Sequence, residues 1–550
     1  MSRLTGIGVS AGVAAGPVAR LASPPELPPD SGPEVDPDAA VTRAHQALEA
    51  VAADLDARAS RASGPAADVL LAQSMMPRDP ALADAVGKAV AAGTSLPHAV
   101  HEAFGIFRAA LEAAGGYLAE RAADLDDLCH RTVAELLGLP MPGLPKPGYP
   151  YVLLATDLAP ADTATLDPKQ VLAIVTEQGG PTSHTAILAK SLGIPAIVAC
   201  ASSRELADAT GVLVDGRAGT VDVEPDPDEA ERAVLAERER ARAVAASSGP
   251  GRTADGTPVK LLVNLGSAAE LAAASEVDSE GVGLLRTEFL YLSRTTAPSV
   301  AEQAESYAEV FAAFAGRKVV VRTLDAGADK PLPFVDHGEE PNPALGVRGW
   351  RLSRRTPGML ADQLAAIAEA RRRQDADVWV MAPMISTPAE AAEFAERAHA
   401  LGLPVAGTMV EVPAAAIRAR QVLAGCDFAS IGTNDLGQYT LAADRMAGEL
   451  ADLLDPWQPA LLELVRTTAA AGRELGKPVG VCGEAASDPL LAPVLVGLGV
   501  TSLSMAPSAI PEVRAALAAH TDADCARLAE IAVAASGAVE AQAAVVDAAH

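Results

Sequence analysis

Gly283-Leu284-Leu285-Arg286-Thr287-Glu288 is an apolar run that ends abruptly in charge. It reads as a short buried strand with a polar C-terminal end. Seven other stretches downstream of residue 255 share the short apolar core: Val259 to Asn264, Lys318 to Arg322, Val378 to Met381, Val405 to Met409, Phe428 to Gly432, Pro478 to Cys482 and Ser502 to Met505. Longer stretches of helical periodicity separate them. Eight strands alternating with helices across residues 255–550 predict a (β/α)8 barrel, with a doubly wound open sheet as the alternative.

In such a barrel the active site lies at the C-terminal ends of the strands. Strand two ends in Arg286-Thr287-Glu288 and strand three in Arg322-Thr323-Leu324-Asp325. Strand five ends in Glu411, strand six in Thr433-Asn434-Asp435 and strand seven in Cys482-Gly483-Glu484. Strand ends are always more polar than strand middles, which accounts for part of this. It accounts less well for two arginines directly after apolar strands, where they would sit partly buried at the mouth. Arg286 and Arg322, with Arg445, form a cation set suited to an anion with several oxygens, because guanidinium stays charged and binds phosphate or carboxylate bidentately. Glu411 and Asp435 are hard oxygen donors on neighbouring strands. With substrate oxygens and water they would make a usual Mg²⁺ shell, and salt bridging to the same arginines explains the pair equally well. Asn434 can donate to a phosphate. Cys482 is packing unless the chemistry needs a proton donor there.

Upstream, Val171 to Thr176 reads as a buried strand, followed by Gly179-Gly180-Pro181-Thr182-Ser183-His184-Thr185-Ala186 and a helix through Lys190. A histidine at a helix N-terminus faces free N–H groups and a dipole that favour an anion and disfavour imidazolium. A histidine that becomes phosphorylated and one that merely caps a turn fit these residues about equally. Residues 4–21 are Gly/Val-rich and alternate like a pair of strands. From Asp38 to about Leu139 the pattern is that of a bundle of about four helices. Strand–helix alternation resumes at Tyr151 and ends near Val223, so the bundle reads as an insertion in an α/β domain. Asp226 to Ala246 is a charged helix without a strong apolar stripe, a solvated or linker helix.

The chain has 550 residues, too many for one core. Its formal net charge of −28 argues against sequence-independent binding to nucleic acid or to anionic membranes. An anionic substrate would need local arginines to overcome that field. Five scattered cysteines without CxxC spacing fit a reducing cytosol and no structural zinc. No signal peptide and no membrane span is expected. The expectation is a cytoplasmic multidomain enzyme.

These residues also carry a resemblance. The chain resembles enzyme I of the bacterial sugar phosphotransferase system, a phosphoenolpyruvate-utilising family, over nearly its whole length. Gly179 to Thr185 is similar to that family's phosphohistidine signature. Gly283 to Leu290, Arg322 to Lys330, Asn342 to Arg348, Ile431 to Thr440 and Gly480 to Glu484 are similar to its barrel motifs, in the same order. The resemblance implies a swivelling phosphohistidine α/β domain (residues 1–22 and 142–223), an inserted helical subdomain that docks the carrier protein HPr (35–140), a linker helix (224–250), and a phosphoenolpyruvate-binding barrel that also forms a homodimer (255–550).

It implies roles as well. His184 would be phosphorylated, with Thr163 hydrogen-bonded to its imidazole. Arg286, Arg322, Asn434, Asp435 and Arg445 would lie at the phosphoenolpyruvate, Glu411 and Asp435 would ligate Mg²⁺, and Cys482 would protonate C3 of the enolate as pyruvate leaves. Lys330 and Arg348 match basic residues near that site. Lys190 stands six residues after His184, where the family often has an arginine, and lysine cannot form the bidentate fork. Pyruvate phosphate dikinase or phosphoenolpyruvate synthase is a rival reading, but only about 150 residues precede the α/β domain and they contain no Gly-rich phosphate loop. A catalytically silent regulatory scaffold is the other rival, and the presence of every chemical residue argues against it.

Overall fold

The structure, a computed structural model, describes the chain apart from residues 1, 22–24, 61–69, 72, 115–121, 140–142, 146, 159–165, 181–182, 268–269, 292–293, 328–331, 336–339, 446 and 550. It divides into two compact units, residues 1–240 and 241–550.

The first unit is built on eight strands: β1 (Ser2–Thr5), β2 (Ile7–Ser10), β3 (Val13–Arg20), β4 (Tyr151–Ala155), β5 (Val171–Thr176), β6 (Ala196–Val198), β7 (Gly211–Asp215) and β8 (Thr220–Val223). Their order is β1-β8-β7-β3-β4-β5-β6-β2. β3 to β6 run parallel, and the remaining pairs are antiparallel. All five residues of β4 are buried, as expected for a strand covered on both faces. Tyr151, Leu153 and Ala155 pack with Ala186 and Ala189 of helix His184–Leu192. Val152 and Leu154 pack with Val212, Val214 and Val221, so strands of the same sheet cover its other face.

Between β3 and β4 the chain forms helices α1 (Pro37–Ala59), α2 (Pro80–Ala91), α3 (Leu96–Ala114) and α4 (Ala122–Leu137). Asp36 and Asp79 cap the first two, accepting from the N–H groups of Ala39 and Ala81. Leu48, Val51 and Leu55 of α1 meet Val86, Val100, Phe104 and Leu128 in one core. Helix α5 (His184–Leu192) follows β5, and α6 (Pro227–Ala245) leaves the unit. Only Ala230 of α6 is buried, which agrees with a solvated helix.

The second unit is a closed barrel of eight parallel strands: β9 (Lys260–Leu265), β10 (Gly281–Leu285), β11 (Lys318–Arg322), β12 (Asp377–Ala382), β13 (Ala406–Val410), β14 (Ala429–Gly432), β15 (Val479–Cys482) and β16 (Ser502–Met505). β16 pairs back onto β9, with Ser502 opposite Lys260. The open-sheet alternative is excluded by this closure. The barrel interior is filled by Leu284, Val320, Met381, Met409, Phe428 and Cys482. A much larger apolar layer lies between strands and outer helices.

Candidate active site

The C-terminal ends of the barrel strands converge on a cavity of ≈ 390 Å³. Arg286, Arg322, Glu411, Asn434, Asp435, Arg445 and Cys482 all line it, together with Glu288, Phe289 and Met409. The sequence reading did not assign a role to Glu288, although it stands two residues after Arg286.

The three arginines differ in how they are held. Arg322 is buried. Its Nη2 donates to Glu288 Oε1 at 3.0 Å, and its Nη1 lies 3.4 Å from Asp325 Oδ2. Glu288 Oε1 also accepts the N–H of Asp325 at 2.9 Å, so one carboxylate fixes both the guanidinium and the backbone beyond it. Arg322 Nε is buried with no acceptor. A buried N–H without a partner costs about 1–3 kcal/mol, which a ligand oxygen would recover. Arg286 is exposed rather than partly buried as the sequence led one to expect. Its backbone N–H is anchored to the Leu265 carbonyl at 2.9 Å. Arg445 is also exposed, with Nη1 3.9 Å from Asp435 Oδ1.

Glu411 follows β13 and is almost completely buried. Its Oε1 accepts the N–H of Met384 at 2.5 Å, and Met384 holds a left-handed backbone with φ 60°. A non-glycine residue in that region is strained, and such strain clusters at functional sites. Burial, and then the charges of Asp325 and Asp435, push the Glu411 carboxyl up to about 8, against the pull of Arg322 and Arg348. Asp435 accepts from Arg348 Nη1 at 3.3 Å. Salt bridging therefore accounts for one oxygen of Asp435, while Glu411 forms no ion pair among the described residues.

This donor set fits a divalent cation. Two carboxylates stand at the ends of adjacent strands, one of them buried without a countercharge in ion-pair range. No group of three or more His, Cys, Asp or Glu side chains placed to hold a metal occurs among the described residues. A cation at Glu411 and Asp435 would therefore draw the rest of its shell from substrate and water.

Arg348 does not line the cavity. Fully buried, it grips Asp325 through Nε (3.2 Å) and Nη2 (2.7 Å) and reaches Asp435 and the Tyr439 hydroxyl through Nη1. It acts on the site through the two carboxylates. Asn434 Oδ1 accepts the N–H of Glu484 at 3.4 Å, linking the ends of β14 and β15. Cys482 is both core and cavity wall. Its Sγ accepts from Ser430 Oγ at 3.3 Å and donates to the Ile431 carbonyl at 3.5 Å. Burial pushes its thiol above the ordinary range.

In the first unit His184 opens α5. Ser183 caps that helix, accepting the N–H of Ala186, and Gly193 ends it with φ 64°. Thr185 Oγ1 donates to Asp157 Oδ1 at 3.3 Å, tying the start of α5 to the end of β4. Lys190 lies exposed in the last turn of α5. Thr163 and Lys330 lie outside the described residues.

Ser430, Asp325, Met384 and Gln363 were given no role from sequence. Asp325 carried a signal, as a charge just past an apolar strand. The others carried none: a serine inside a strand, a methionine in a loop and a glutamine on an outer helix are unremarkable by type.

Three models of phosphoenolpyruvate-utilising enzymes match in chain order: the N-terminal domain over residues 5–121, the mobile domain over 148–219 and the PEP-binding domain over 240–522. Fold and site together define a phosphoenolpyruvate-utilising enzyme. The phosphoenolpyruvate-protein phosphotransferase of Streptomyces coelicolor is 52% identical over 542 residues, covering 98% of either chain. Those of Latilactobacillus sakei and Bacillus subtilis are 37% and 35% identical, covering 94% and 93% of this chain and 93% of their own. The chain belongs to the phosphoenolpyruvate-protein phosphotransferase family.

Proposed function

We propose that the protein moves the phosphoryl group of phosphoenolpyruvate onto His184 and then to the carrier protein HPr, as the first step of a sugar phosphotransferase system. The observation that carries this reading is the convergence of three arginines, two carboxylates and a buried thiol on one cavity, with Arg322 Nε left open for a ligand oxygen. Arg286, Arg322, Arg445 and Asn434 hold the substrate anion and take up charge as the bond from phosphorus to the enolic oxygen lengthens. Glu288 and Asp325 keep Arg322 in place. Glu411 and Asp435 would hold a Mg²⁺, which would supply further positive charge to the substrate anion. A nitrogen of the His184 imidazole accepts the phosphoryl group, and Cys482 delivers a proton to C3 of the enolate, giving pyruvate.

In this reading residues 1–22 and 142–223 carry the phosphohistidine, residues 35–140 dock HPr, residues 224–250 link, and residues 255–550 bind phosphoenolpyruvate and form a homodimer. Thr163 and Lys190 support the histidine, and Lys330 and Arg348 support the substrate site. The protein works in the cytoplasm, in line with the lack of any helix among the described residues long and apolar enough to cross a membrane. Incubation with phosphorus-labelled phosphoenolpyruvate and Mg²⁺ tests the proposal. Label on His184 without nucleotide, and none on a His184→Ala protein, is the expected result. An absolute need for ATP or AMP, or no label at all, would overturn it.

A further inference from the structure

A proton donor that is 2% exposed must be recharged after each turnover. If Cys482 gives its proton to carbon, a thiolate remains in a buried site, and burial penalises it. Ser430 Oγ is the side-chain hydroxyl that reaches the sulfur, at 3.3 Å. Ser430 lies on β14 opposite Gly480 of β15, two residues before the strand's cavity end. It also lines a second, lower cavity inside the barrel, walled by Lys318, Trp379, Phe428, Ser502 and Ser504. That cavity measures ≈ 20 Å³, which is room for one water with polar partners on several sides.

Lys318 opens β11 at the N-terminal face of the barrel. Its ammonium sits 3.1 Å above the centroid of the Trp379 ring and 5.9 Å from that of Phe428. Burial pulls it down to about 8, with Asp377 resisting and Lys260 assisting, so it can release and regain a proton near neutral pH. The residue is only partly buried and so touches solvent at that face. Sulfur, hydroxyl, water-sized space and a lysine that titrates near neutrality therefore lie along one route from the mouth to the opposite end of the barrel.

We propose that Ser430 is the relay that recharges Cys482, passing to its sulfur a proton delivered into the lower cavity by Lys318. The proposal rests on the reading that Cys482 protonates the enolate. In that step the S–H bond breaks and a C–H bond forms at C3. The Ser430 O–H proton then moves to the thiolate, a proton of the cavity water moves to Ser430 oxygen, and the Lys318 ammonium restores the water. Lys318 recovers its proton from bulk solvent. The sum is one proton carried from solvent to sulfur, with nothing oxidised or reduced.

The test uses the full-length protein equilibrated in D₂O and mixed rapidly with phosphoenolpyruvate and Mg²⁺ in H₂O, with deuterium in the pyruvate methyl group read by mass spectrometry. Wild-type sulfur should exchange through the relay and leave little deuterium in first-turnover pyruvate. Ser430→Ala should retain it, and its multiple-turnover rate should fall by about 10-fold or more with KM unchanged. Lys318→Met should show the same pattern, and Ser430→Cys, which keeps a transferable proton, should restore part of the exchange. Wild-type label and rate in Ser430→Ala would mean that sulfur recharges through the mouth, and would overturn the relay. Wild-type exchange in Lys318→Met would overturn its supply from the lower face. A Cys482→Ala protein that makes pyruvate at the wild-type rate would sink the underlying reading, whereas a slow Cys482→Ala beside a normal Ser430→Ala sinks the relay alone.

Discussion

The guanidinium of Arg322 is clamped on one edge by Glu288 and Asp325 and left open at Nε. Lysine offers a compact charge without the planar fork, so it cannot serve both carboxylates and a ligand together. Arg322→Lys should therefore lower kcat/KM for phosphoenolpyruvate by about 100-fold, near 3 kcal/mol, in steady-state kinetics. Lys318 gives a prediction of opposite sign for stability. Its folded value of about 8 lies below the ordinary lysine value, so its charged form weakens the fold. The penalty is complete below pH 8 and fades as pH rises towards ~10.4. Lys318→Met should raise stability in urea unfolding by about 1 kcal/mol at pH 7, the cation–π contact with Trp379 offsetting part of the gain. The gain should shrink above pH 8. At this scale the arginines and Glu411 of the cavity wall were legible because charge at the end of an apolar strand conflicts with plain packing, whereas Cys482 read as packing until the resemblance gave it a role. The clamp was not legible, because which carboxylate meets which guanidinium depends on side chains from different strands, and sequence order does not pair them.

Helix Pro357–Arg373 packs outside the barrel, yet its buried Gln363 reaches the strand ends. Gln363 Nε2 donates to Thr287 Oγ1 (3.1 Å) and to the Tyr307 hydroxyl (3.0 Å), and its Oε1 accepts the N–H of Leu324 (2.9 Å). Thr287 Oγ1 in turn donates to the Arg322 carbonyl at 3.0 Å. One amide thus joins the segments that follow β10 and β11, beside Arg286 and Arg322. Gln363→Leu would leave a buried Leu324 N–H without its acceptor, costing about 2 kcal/mol in denaturant unfolding. It should also raise KM for phosphoenolpyruvate, because the two segments lose their tie. Elements themselves were the most legible level. Each observed barrel strand begins and ends within two residues of the apolar run that predicted it, since a strand buried on both faces must be continuously apolar. The left-handed turn at Met384 had no such signature, because nothing in a methionine advertises φ 60°.

Over the whole molecule, the two units have separate apolar cores. Scanning calorimetry should resolve two transitions, and phosphoenolpyruvate with Mg²⁺ should raise the barrel's alone, by the mass-action term for a ligand that binds only the folded state. A rise in both would place substrate contacts in the first unit. The net charge of −28 does not contradict an anionic substrate, because the arginines stand at the cavity wall, where the local field decides. The strand order of the first unit bears on how the chain is made. β1 pairs with β8, β2 with β6, and β3 lies between β4 and β7, so the first 20 residues find their partners only after the chain has grown past residue 150, and β1 only past 220. The helices of residues 37–137 find their core partners within that stretch and need no such wait. On the ribosome the inserted bundle is therefore complete while the sheet that frames it is still missing its final strands, and the leading segment must stay unpaired and soluble until they emerge.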